Sequence, residues 1–200
     1  MKKFVLPSIV VAVVLAIWLG SEGESVEEYT SRIGQIRKEK IDFLKTSDQS
    51  PFTDVDSIFN DLSFFPINPD FKVKAKIEKI ESPSFMELGT STGEVEKYRK
   101  FAYAHFELDG QSHRLLLLKK AIGRKKEPIF TAFADNTSGD TTYGGGRYLD
   151  LDFKNATSID LDFNLAYNPY CAYNGSYTCP FPPKENILQV SILAGEKSYY

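Results

Sequence analysis

Two hundred residues with a 42% apolar share suffice for one domain with a real core plus a targeting segment. Fifteen Phe and eleven Tyr lean the chain toward β structure. The net charge of −3 argues against a nucleic-acid-binding face, and the one basic run, Arg124-Lys125-Lys126 beside Lys119 and Lys120, reads as a solvated hairpin tip.

Lys2 and Lys3 precede an apolar run from Phe4 to Leu19, the charge and length pattern of an export signal. The run is short for a membrane span, which needs about 20 residues. Ser21-Glu22-Gly23 is a poor cleavage site. Residues 1–23 are therefore expected to be a signal peptide or an uncleaved N-terminal membrane anchor. A single domain over 24–200 is expected outside the cytoplasm, periplasmic or tethered through residues 4–19.

Ser25-Val26-Glu27-Glu28 matches a capping box. Val26, Tyr29, Ile33, Ile36, Ile41 and Leu44 follow at helical spacing, which predicts a helix to about Lys45 with its Arg and Lys on the wet side. A loop is expected over Ser47–Pro51, a short helix over Asp54–Leu62, and an irregular stretch from Phe64 to Pro69. From Phe71 the period becomes two: Phe71, Val73, Ala75 and Ile77 alternate with Lys72, Lys74, Lys76 and Glu78. Phe85–Leu88 reads as a second strand, Gly89–Gly93 as a turn and Val95–Leu108 as a long strand. Asp109-Gly110 gives a tight hairpin signal before the returning strand Gln111–Leu118. Ile129–Ala134, Arg147–Phe153 and Ile159–Leu165 continue the series, and Leu188, Val190 and Ile192 suggest a last strand. Strands do not alternate with long helices, so a parallel sheet is disfavoured. The expected fold is α+β and mainly antiparallel: a curved sheet or partly open β-barrel braced by the N-terminal helix.

The last third gathers the residues with chemistry. Cys171 and Cys179, close together in an exported chain, read most simply as a disulfide, with a two-thiolate metal site or a redox pair as alternatives. Only His105 and His113 are available to complete a zinc site. Gly144-Gly145-Gly146 reads as a tight turn needing positive φ. Arg147 needs acceptors, which Asp135, Asp162, Glu185 or Glu196 can supply. It is either a buried structural ion pair or an anion clamp at a pocket mouth. Asp160, Asp162 and Asn164 share one strand face at about 7 Å spacing. That face is either solvated or, with Asp135, Asp140 and Asp150, an oxygen-ligand cation site. No G-x-S-x-G elbow is present.

These residues also carry a family likeness. Phe133-Ala134-Asp135 with Thr137-Ser138-Gly139, then Thr142-Tyr143-Gly144-Gly145-Gly146-Arg147-Tyr148, opens it. Asp162-Phe163-Asn164, Ala166-Tyr167-Asn168-Pro169 and Cys171 continue it, and Cys179-Pro180, Pro182-Pro183, Glu185-Asn186 and Ala194-Gly195-Glu196-Lys197 end it. With these motifs the chain resembles the bacterial and archaeal domain-of-unknown-function family numbered 1684. The resemblance runs from about Glu28 to the C-terminus. It implies one clustered site and names no reaction.

The function expected from these residues is binding of a small polar or anionic ligand around Arg147. Asn164, Asn168 and Asn186 would orient it, Tyr143 would wall the pocket, and Asp135, Thr137, Asp162 and Glu185 complete the candidate set. A carboxylate-dependent hydrolase using Asp135, Asp162 and Glu185, with or without a divalent cation, is the second reading. A structural envelope role is the third. No cofactor and no metal is assigned.

Overall fold

The computed structural model describes residues 24–53, 59–121, 128–153 and 157–200. The expected export segment, most of the expected Asp54–Leu62 helix and the Arg124–Lys126 run lie outside the described residues; Phe59 to Leu62 is irregular. One long helix, α1 (Val26–Thr46), precedes six strands: β1 (Lys72–Gly89), β2 (Val95–Leu108), β3 (Gln111–Lys120), β4 (Ile129–Phe133), β5 (Arg147–Leu151) and β6 (Ser158–Asp162). The strands form one antiparallel sheet in the order β5-β4-β3-β2-β1-β6, curled into a half-barrel. The expected α+β, mainly antiparallel fold is thus the one observed.

Local sequence explains the frame. Ser25 caps α1: its hydroxyl accepts from the Glu28 amide while the Glu28 carboxylate accepts from the Ser25 amide. Asp109 (φ 52°) and Gly110 (φ 71°) both have positive φ, the geometry that matches a two-residue hairpin to the twist of β2 and β3. Where two short strands are expected over Phe71–Leu88, β1 is continuous. An irregularity between Lys79 and Ser84 absorbs the break in its alternation.

The main core lies on one face of the curl and includes Ala75, Ala104, Phe106, Leu115, Leu117, Phe133, Leu161 and Phe163. Leu116 and Leu118 pack on the other face with Leu88 and Tyr98. Both faces of β3 are therefore covered, and its four leucines are wholly buried, each worth roughly 1.5–3 kcal/mol relative to exposure. A smaller cluster of Leu44, Leu62 and Tyr173, with Phe52, Phe59 and Tyr199, ties the end of α1 to the C-terminus.

Two expectations need correction. The segment around Leu188–Ile192 is no strand. Leu188, Ile192 and Ala194 are buried as plugs in the core, and the segment forms isolated bridges, Ala134 with Ile187 and Phe64 with Glu196, and scattered backbone hydrogen bonds rather than a ladder. The basic residues of α1 are also not all on the wet side. Arg37 donates to the Phe65 and Asn164 carbonyls, and Lys40 turns toward the domain to meet Glu196.

Candidate functional site

Gly146 closes a tight turn at φ +84°, as expected of the glycine run. A Cβ there would stand 2.6 Å from the Phe133 carbonyl oxygen and 2.5 Å from Pro182 Cγ. The next side chain, Arg147, is fully buried. One terminal nitrogen donates to Asp135 Oδ2 at 2.7 Å and to the Ile192 carbonyl at 3.0 Å. The other donates to the carbonyls of Ala194 at 2.5 Å and Glu196 at 3.4 Å. Three carbonyls at alternate positions of one segment thus point at one guanidinium. Arg147 takes the acceptors that a neighbouring strand would otherwise have paired, which accounts for the missing last strand. Asp135 completes the network by accepting from the Thr137 amide (2.8 Å) and hydroxyl (2.6 Å). Neither side chain of the ion pair has any exposure. This is the geometry of a structural ion pair. It corrects the expectation of an anion clamp at a pocket mouth.

The other candidates fall into separate groups. Asn168 donates to Glu196 Oε1 at 2.9 Å and to the Lys197 carbonyl at 2.8 Å. It thus adjoins the arginine network through the 196–197 backbone. Asp162 and Asn164 are buried beneath α1, not solvated: Tyr29 donates to Asp162 Oδ1 at 2.8 Å, and Asn164 donates to the Tyr29 hydroxyl at 2.9 Å. Asn186 lies between β3 and β4, which share the single register pair Leu118–Phe130. Its amide accepts from Leu116 N–H (2.7 Å) and donates to the Leu116 and Ala132 carbonyls. It substitutes for the missing rungs of the ladder. Glu185, next to it, pairs instead with Lys100 (3.1 Å) and accepts from Tyr103 (2.9 Å). Asp135, Asp162 and Glu185 therefore engage three different sets of partners. Among the described residues no group of three or more His, Cys, Asp or Glu is placed to hold a metal ion.

Cys171 and Cys179 are brought together but stand as free thiols. The Cys171 amide donates to Cys179 Sγ at 3.2 Å, and Tyr143 Oη lies 3.9 Å from Cys171 Sγ. A hydrogen bond from Cys179, working against burial, holds the Cys171 thiol down at about 6. The same contact, with burial, pushes the Cys179 thiol far up.

The open space lies elsewhere. A groove of about 640 Å³ runs between α1, the outer side of β5 and the loop from Leu165 to Pro180, a size suited to a small organic ligand. Ile36, Phe43 and Leu44 of α1 form one wall, and Tyr148, Tyr167, Tyr170 and Tyr177 line the rest. The rings hold each other edge-on: Tyr148 with Tyr167 at 6.0 Å and Tyr170 with Tyr177 at 5.3 Å between centroids. Tyr148 is fixed by donating to the Pro180 carbonyl at 2.6 Å.

Four charged side chains reach the groove: Lys40, Glu96, Lys120 and Asp150. Lys120 pairs with Glu96 at 3.1 Å, and Tyr98 donates a short hydrogen bond to Glu96. Lys40 pairs with the buried Glu196 at 2.6 Å and lies over the Tyr167 ring, 4.6 Å from its centroid. Burial lowers the Lys40 pKa, with Glu196 opposing. Asp150 accepts from the Tyr167 hydroxyl at 3.0 Å and forms no ion pair among the described residues. Asp150 keeps solvent access, yet partial desolvation by the surrounding walls raises its pKa, against Tyr167 and Lys40.

From the sequence, Asp150 is expected only as a member of a possible cation site, Glu196 only as a possible partner of Arg147, and Lys40 on the solvent side. The signal for Lys40 is its spacing. It falls midway between Ile36 and Leu44, four residues from each, on the stripe that faces the domain. Tyr148 and Tyr167 both stand in the motifs that carry the family resemblance, but nothing in those motifs says that they line a common groove.

Comparison with known proteins adds a family and similarity to proteins of known structure. The family model described as "Protein of unknown function (DUF1684)" matches residues 57–197. The solution NMR structure of the uncharacterized protein from gene locus rrnAC0354 of Haloarcula marismortui is 36% identical, with a TM-score of 0.66, over 86% of this chain and 95% of that one. Residues 57–200 alone cannot supply that coverage, so the likeness extends N-terminal to residue 57. No curated protein matches.

Proposed function

The chain belongs to the DUF1684 family, and from that premise we propose that it is a small-ligand-binding domain whose site is the tyrosine-lined groove beside α1. The observation that carries this reading is the contrast in access. The groove is open, walled by apolar and aromatic surface, and holds a few convergent polar groups, which is the usual make-up of a ligand site. The Arg147 network is closed and paired with its own backbone. We further propose, on the charge pattern of residues 1–19, that the domain works outside the cytoplasm.

Saturation-transfer NMR on the full chain with small aromatic probes tests the assignment. Probe binding should be lost in Thr178→Trp, which places an indole at the exposed groove rim, with little change in unfolding midpoint. Binding that survives the block would move the site elsewhere. The hydrolase reading finds no support in the geometry, because Asp135, Asp162 and Glu185 are each committed to separate partners.

A further inference from the structure

We infer that the ligand carries a positively charged amine or ammonium head on a flat apolar body, with Asp150 as its counter-charge. The inference rests on the groove being the binding site.

The argument is one of charge accounting at the walls. The two groove cations both stand in close ion pairs, Lys120 with Glu96 and Lys40 with Glu196, and Lys40 acts on Asp150 only as a nearby charge, not as an ion-pair partner. The adjoining cavity, at the seam where the sheet edges β5 and β6 approach, also presents cations to Asp150, and these are committed as well. Arg32 pairs with Glu24 at 2.6 Å, and Lys72 lies 3.7 Å from Glu24 and 3.9 Å from Asp160. Asp150 lines both cavities and has the Tyr167 hydroxyl as its hydrogen-bond partner. Counting Glu196 behind Lys40, the groove holds two cations against three carboxylates. Its unmatched charge is negative.

The walls favour the same ligand. Electron-rich ring faces attract cations, and the attraction grows when water is excluded. The fold already uses the effect once here, since Lys40 Nζ lies over Tyr167. An anionic ligand would have to displace Glu196 from Lys40 or Glu96 from Lys120. A cationic one displaces nothing.

The experiment compares three probes of one skeleton on the full chain at pH 7: phenethylammonium, phenethyl alcohol and hydrocinnamate. Phenethylammonium should bind about tenfold more tightly than the alcohol, the size of one partly desolvated cation contact, and hydrocinnamate should bind worst. Asp150→Asn should collapse the preference for the cation, and Asp150→Glu should retain most of it. A tighter anion, or a cation preference that survives Asp150→Asn, would overturn the charge assignment while leaving the groove as the site. If none of the three binds wild type, the groove reading itself fails.

Discussion

Strand β5 supplies both the sealed network and the groove, and the two differ by one residue of register. Arg147 and Leu149 point into the fold, while Tyr148 and Asp150 point outward into the groove. Inside, every strong charge meets a partner: Arg147 has Asp135 and three carbonyls, and Glu196 accepts from Lys40, Asn168 and Tyr173. Outside, Asp150 keeps one hydroxyl, feels Lys40 only as a nearby charge, and forms no ion pair among the described residues. The contrast teaches that a cluster of unusual polar residues does not by itself mark a site. Buried polar groups bound to neighbours within the chain hold a fold together, even where single atoms such as Arg147 Nε and Asn168 Oδ1 are left over. Polar groups left with capacity, in reach of solvent, are available to a ligand.

The largest effect that would break this contrast concerns Arg147. Arg147→Ala should cost roughly 3–5 kcal/mol in denaturant unfolding, because it strands a buried carboxylate and several buried carbonyls. Arg147→Lys should recover little of that, since a point charge cannot reach all the acceptors of a planar fork. A loss below about 1 kcal/mol would show that the network is not structural.

Asn186 and Glu185 offer a second test within one dipeptide. Asn186→Ala should cost about 2–3 kcal/mol, because the Leu116 amide and carbonyl lose their partner in the gap between β3 and β4. Glu185→Ala, which removes a partly exposed pair at the sheet surface, should cost less, about 1 kcal/mol or below. Equal costs would mean that Asn186 does not bridge the sheet.

The thiols sharpen the comparison from the groove side, because Cys179 lines the groove. In protein purified from its native compartment, intact-mass analysis should find both thiols blocked, as expected for a bonded pair outside the cytoplasm. Reduced protein should alkylate first at Cys171, whose thiol is held at about 6. Two freely alkylating thiols in native material would remove the bonded state.

The smallest effect is on pH. The folded pKa of Asp150 is raised above its ordinary 3.8, so the folded state binds more protons than the unfolded one between that value and the raised one. Stability is therefore lost as pH rises through the window. Lys40 and Tyr167, which face Asp150, oppose the shift but do not cancel it. Asp150→Asn should raise the melting temperature slightly at pH 7, and the gain should vanish below about pH 4. A destabilised Asn variant at pH 7 would make Asp150 a structural residue like Asp135.

Much of this was legible in the chain itself. The capping box at Ser25, the Asp109-Gly110 hairpin and the period-two strands are local patterns, and local patterns specify local geometry. The C-terminal segment misled for a non-local reason: Arg147, some forty-five residues earlier, occupies its carbonyls. Asp162 and Asn164 misled similarly, because the solvent-facing side of β6 is covered by Tyr29 from α1. The groove was the least legible part. It is assembled from α1, β5 and a loop, and its residues are scattered among several motifs and the helix. The polar motif residues singled out as ligand contacts, Asp135, Arg147, Asp162, Asn164, Asn168 and Asn186, are the ones that the fold consumes, while Tyr148 and Tyr167 of the same motifs line the groove.

The most direct test is an amide-resolved NMR titration of the full chain with phenethylammonium. Chemical-shift changes should concentrate at Lys40, Tyr148, Asp150, Tyr167 and Cys179, leaving Asp135, Ile192 and Ala194 unmoved. Changes centred on Asp135, Arg147 and the 192–196 segment, with the groove silent, would contradict the account.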